Sequence, residues 1–89
     1  MVLSKKVYCN GQFINEFGCS GESANVELIN LLLDKTKKRY GYKVDITTDN
    51  VFHEIRAKLK YEHTLYDGQV NVYVYEYLFT AVDRIIDLH

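Results

Sequence analysis

Tyr61-Glu62-His63-Thr64-Leu65-Tyr66-Asp67-Gly68-Gln69-Val70-Asn71-Val72-Tyr73 sets an Asp-Gly dipeptide between two runs rich in β-branched and aromatic residues. A two-residue Asp-Gly or Asn-Gly loop favours the type I′ turn, whose twist suits the flanking strands, so the dipeptide predicts an antiparallel hairpin of defined register. Counting outward pairs Tyr66 with Gln69, Leu65 with Val70, His63 with Val72 and Tyr61 with Val74 on an inner face. The same count places Thr64 with Asn71, Glu62 with Tyr73, Lys60 with Tyr75 and Lys58 with Tyr77 on an outer face. One pair misfits: Leu59 falls opposite Glu76 on the apolar side, which predicts a bulge near Glu76 or an end to regular pairing there.

Working outward, Asn10-Gly11 repeats the signal and predicts a first hairpin over residues 5 to 17, with Val7 facing Ile14 and Tyr8 facing Phe13. Both faces of that ribbon are apolar, so both are expected to be covered. Residues 18 to 22 read as a connection, and Ser23 as the N-cap of a helix running to about Tyr40. Val26, Leu28, Ile29, Leu32, Leu33, Thr36 and Tyr40 would line one side of it. Lys35, Lys37, Lys38 and Arg39 suit the negative end of the helix dipole, with Gly41 at C′. Tyr42 to Thr47 alternates as a strand closed by Thr48-Asp49-Asn50.

Over Val51 to Leu65 the odd positions are mostly apolar and the even ones polar apart from Phe52, which is the pattern of a strand. A helix over residues 50 to 60, capped by Asn50 with Val51, Phe52, Ile55 and Leu59 inward and Glu54 paired to Lys58, is the competing reading. At the end, Thr80 followed by Asp83 resembles a helix start, with Val82, Ile85, Ile86 and Leu88 on one side. The expected fold is therefore a single α+β domain over residues 1–89. Its order is ββαβββα: an antiparallel sheet of about five strands carrying one long helix and a short C-terminal helix.

Size and composition narrow the function classes. A chain of 89 residues buries only about 60 to 65% of its unfolded surface, so its stability is expected to be on the order of 5 kcal/mol. An apolar share of 47% with 26% charged residues is that of a globular protein and argues against disorder. The apolar run Leu31 to Leu33 is far too short for a bilayer, and no apolar h-region follows Lys5 and Lys6, so a cytosolic location is expected. A formal net charge of −1 provides no long-range pull toward nucleic acid or anionic lipid. Cys9 and Cys19 are too few for a disulfide scaffold. With Asn10-Gly11 as the loop, the second strand carries Cys19 about 23 Å from Cys9, beyond the reach of a disulfide.

Chemistry-bearing patterns are weak. Neither C-x2-4-C nor H-x3-5-H spacing occurs, and His53 and His63 on one strand would stand about 33 Å apart. No metal site is expected: His63 reads as a core-edge histidine and His89 as a terminal one. Cys19 before a helix N-terminus is the best nucleophile candidate, yet no histidine is placed beside it and Glu22 opposes thiolate formation. Gly18 to Gly21 has the outline of an anion nest without the Walker pattern. Asp45 and Asp49 read as solvated loop acids. The expectation is no catalytic, cofactor or metal site, and hence no enzyme.

The outer face assigned to the second hairpin is the feature that points to function. Tyr73, Tyr75 and Tyr77 would project together, with Lys58 and Lys60 opposite. Tyrosine combines apolar area, a polar tip and few rotatable bonds, and is enriched at interfaces, so these five residues are the expected partner-binding surface. The bland alternative is cross-strand packing of each ring over a lysine stem, or cover by a helix. The expected function is protein–protein interaction: a small inhibitor or adaptor, as in the anti-defence proteins of bacteriophages, binding another protein or a second copy of itself. RNA or single-stranded nucleic acid, stacked on the tyrosines, is the rival. The order after Ser23 is similar to that of a double-stranded-RNA-binding domain, but Thr80-Ala81-Val82-Asp83 lacks the basic cluster such a domain sets against phosphates.

Overall fold

A computed structural model describes residues 1–82 of the chain. They form β1 (Val2–Cys9), β2 (Gln12–Ser20), α1 (Glu22–Thr36), β3 (Tyr42–Asp49), β4 (Glu54–Thr64) and β5 (Val70–Thr80). The strands make one antiparallel sheet in the order β2-β1-β5-β4-β3, an α+β fold in which α1 packs across one face and touches both edge strands. Thr80 ends β5, and the closing helix expected after it lies outside the described residues.

The two dipeptides build different turns. Asn10 (φ 51°) and Gly11 (φ 82°) are both left-handed, as a type I′ turn requires, and Tyr8 pairs with Phe13 as expected. Val7, however, pairs with Asn15, because Ile14 is extruded in a bulge. In the second hairpin Gly68 is left-handed (φ 87°) but Asp67 is not. The Gly68 amide donates to the Leu65 carbonyl (2.9 Å) and the Leu65 amide to the Gln69 carbonyl (2.7 Å), so the loop is Tyr66-Asp67-Gly68. This is the three-residue hairpin, a type I turn closed by a glycine bulge. The Asp67 carboxylate secures it by accepting the Gln69 amide at 3.0 Å.

That extra loop residue moves the register by one place. Leu59 pairs with Tyr75, Ala57 with Tyr77, Tyr61 with Tyr73, and Lys58 with Glu76. A shift of one exchanges the two faces of a strand. The expected Leu59–Glu76 misfit disappears, and Tyr73, Tyr75 and Tyr77 turn to the helix side with Ile55, Leu59 and Tyr61.

The core lies between α1 and the centre of the sheet. Ala24, Leu28 and Leu31 of α1 are buried against Leu3, Ile55, Ala57, Leu59, Tyr77, Phe79 and Val82. Val26, Ile29 and Leu33, expected on the buried side of the helix, are exposed instead. The helix is also shorter than expected and begins earlier: Gly21 is its N-cap in place of Ser23, and it stops at Thr36, with Lys37 extended. Gly41 therefore serves the turn into β3, where the Tyr42 amide donates to the Arg39 carbonyl at 3.2 Å. Residues 50 to 53 form a turn, and Glu54 to Thr64 is strand, which removes the helical alternative for 50 to 60. The Asp49 carboxylate holds that turn by accepting the Val51 and Phe52 amides (2.9 and 3.0 Å).

Candidate functional site: a tyrosine groove beside the helix

β3, β4 and β5 place Tyr42, Tyr61, Tyr73, Tyr75 and Tyr77 on the helix-side face, since Tyr42 opposes Tyr61 and Tyr61 opposes Tyr73. α1 covers only part of that face. Tyr77 is 8% exposed under the helix, whereas Tyr42, Tyr61, Tyr73 and Tyr75 remain half-buried. The result is an open groove of about 570 Å³, lined by Lys5, Leu59, Tyr42, Tyr61, Glu62, His63, Tyr75 and Tyr77 and bordered by Arg39 and Tyr40 from the segment after α1.

The rings form a continuous array. Tyr61 stacks on Tyr73 (centroids 5.1 Å, planes 17° apart) and on Tyr75 (5.9 Å, 12°), and Tyr77 stacks on Phe79 (6.1 Å, 3°). Two cations adjoin it. The Lys5 ammonium lies 5.2 to 5.7 Å from the centroids of Phe17, Tyr75 and Tyr77 and 3.6 Å from the Glu27 carboxylate, which ties β1 to α1. The Arg39 guanidinium lies 6.0 Å from the Tyr42 ring.

Three phenols of the array are raised above the ordinary 10.0. A hydrogen bond with Tyr75 (hydroxyls 3.3 Å apart), then burial, pushes the Tyr61 phenol up to about 12. Burial, helped by the Asp34 carboxylate, raises Tyr42 to about 12, and burial raises Tyr77 further. The groove offers phenol hydroxyls as donors and acceptors over an apolar floor, beside Lys5 and Arg39.

The expected five-residue surface is divided. Tyr75 lines the groove and Tyr73 stands beside it, stacked on Tyr61; Tyr77 joins the core. Lys58 and Lys60 lie on the opposite face, against Glu76 and Val74, and do not meet the tyrosines. That opposite face mixes Lys6, Arg56 and Lys58 with Glu16, Asp45 and Glu76 around a shallow basin, the pattern of a solvated surface. Lys5, Arg39, Tyr42 and Tyr61 were not anticipated as members of the site. The Leu59–Glu76 misfit was the signal that could have found them, because removing it by one register step brings Tyr61 beside Tyr73.

Among the described residues no group of three or more His, Cys, Asp or Glu side chains could hold a metal ion. Cys9 and Cys19 are free thiols at opposite ends of β1's pairing with β2, and Cys19 lies within β2, packed against the core, where a connecting turn was expected. His63 opposes Asn71, not Val72, and is exposed at the groove rim. No described helix is long and apolar enough to cross a membrane. No protein-family model, curated protein or solved structure matches this chain, so its own residues alone carry a functional reading.

Proposed function

We propose that this chain is a small cytosolic protein-binding module, an inhibitor or adaptor without catalytic chemistry, whose partner seats a side chain or short segment in the tyrosine groove. The observation that carries the reading is the array Tyr61–Tyr73–Tyr75, left half-open beside Arg39 and Lys5 where the helix stops short. Semi-exposed tyrosines on a rigid sheet supply contact area at low entropic cost, and their hydroxyls add direction. An apolar or aromatic side chain would lie on the floor, with a carboxylate or carbonyl turned to Arg39.

Ring geometry favours protein over nucleic acid as the occupant. A base-stacking platform presents ring faces outward, whereas Tyr61 and Tyr73 already stack on each other, with centroids 5.1 Å and planes 17° apart, and so compete with a base for those faces. The lysines that would meet phosphates stand on the other side of the sheet, among acids.

Affinity capture from the host cell tests the proposal, comparing the unchanged protein with Tyr73→Ser/Arg39→Glu and with Lys58→Glu. The expected result is a protein retained by the unchanged chain and by Lys58→Glu but lost with the groove variant. Retention by all three, or oligonucleotide binding that weakens steeply with salt and fails in the groove variant, overturns it.

A further inference from the structure

The outward side of α1 is unlike an ordinary solvated helix face. Val26, Ile29 and Leu33 recur at i, i+3 and i+7 and are 48, 55 and 58% exposed, on the side away from Ala24, Leu28 and Leu31. A surface helix in a two-layer fold needs one apolar stripe, and α1 has two. The ends of the second stripe carry opposite charges: Glu22 opens the helix, and Lys37 caps it, bridged to Asp34 at 2.9 Å, with Lys38 following.

We infer that α1 is a self-association helix, pairing antiparallel with α1 of a second copy across a two-fold axis near Ile29. Val26, Ile29 and Leu33 of both copies interleave along the seam. Each Glu22 then meets the Lys37–Lys38 end of the other copy, and the two helix dipoles oppose. A patch whose acidic and basic ends exchange on rotation is complementary to itself, as an isologous interface must be. An unrelated partner helix would need no such symmetry. The surface is separate from the tyrosine groove, which lies on the sheet side of the helix, so a dimer carries two open grooves.

Size sets the strength. A helix of 15 residues is about 22 Å long and about 10 Å wide, so the pair buries less than the roughly 1,600 Å² of a standard stable interface. The dimer is therefore weak, with a dissociation constant on the order of 100 μM.

Sedimentation equilibrium on the full chain, from about 5 μM to about 1 mM around that value, tests the inference. The expected result is a reversible monomer–dimer equilibrium that Ile29→Glu abolishes without lowering Tm, since Ile29 is exposed. Glu22→Lys should weaken it about tenfold, and Glu22→Lys combined with Lys37→Glu should restore it. Monomer throughout the range, or a dimer indifferent to Ile29→Glu, overturns it. So does a dimer lost with Tyr73→Ser instead, which would place self-association in the groove.

Discussion

Leu59 stands directly opposite Tyr75 across β4 and β5, one position from the Glu76 that a two-residue turn would have put there. The consequence runs the length of the hairpin: Tyr73, Tyr75 and Tyr77 lie on the helix side of the sheet and Glu76 on the opposite, exposed side. Tyr75 in turn meets Tyr61 through the hydroxyls at 3.3 Å. The helix ends before it reaches this pair, and that leaves a groove where a longer helix would have made core.

Stability should separate the tyrosines. Tyr77 is buried under α1, so Tyr77→Ala is expected to cost about 3 kcal/mol or more, lowering Tm by over 10 °C. Tyr73→Ser, at the half-open end, should cost about 1 kcal/mol or less. Urea unfolding of both variants checks the ordering; equal losses would mean the groove is part of the core.

Two glycines test the turns. Gly68→Ala forces a left-handed φ of 87° on a residue with a Cβ but meets no atom within 4 Å, so it should cost about 1 kcal/mol. Gly41→Ala adds a steric conflict, because its Cβ would lie 3.3 Å from the Glu62 Cβ, and should cost more. Chemical denaturation measures the difference.

Asn10 ties the first turn to the sheet centre. Its amide donates to the Val72 carbonyl, its side-chain oxygen accepts the Val72 amide (both 2.8 Å), and its side-chain nitrogen donates to the Asn71 oxygen at 3.0 Å. Asn10→Gly keeps the left-handed backbone and loses the side-chain bonds, for about 1 kcal/mol. Asn10→Ala loses both and should cost about 2 kcal/mol. Amide exchange at Val72 should accelerate in each.

Alkaline titration reports the groove. The folded phenols of Tyr61 and Tyr42 lie near 12, against an ordinary 10.0. A folded value raised above the unfolded one contributes stability that is complete below pH 10 and lost as pH rises toward 12. Phenolate absorbance should therefore show a late group that titrates near 12 and coincides with unfolding. Tyr61→Phe should remove one member of that later group.

Much of this molecule was legible in its residues. Asn10-Gly11, Asp67-Gly68, the alternation from Val51 to Leu65 and the helical run after Ser23 define two hairpins, a helix and an antiparallel α+β sheet, because turn preferences and side-chain periodicity are local properties of the chain. What the local pattern left open was settled by packing. Asp67-Gly68 is compatible with two loop lengths, and only the burial of Leu59 and Tyr77 beneath α1 favours the longer one. In the same way α1 is apolar on two sides, and the sheet selects which of them is buried. The groove exists because of those two choices: a single register step carries Tyr73 and Tyr75 from the lysine side to the helix side, and no local signal assigns the energy of burying either face.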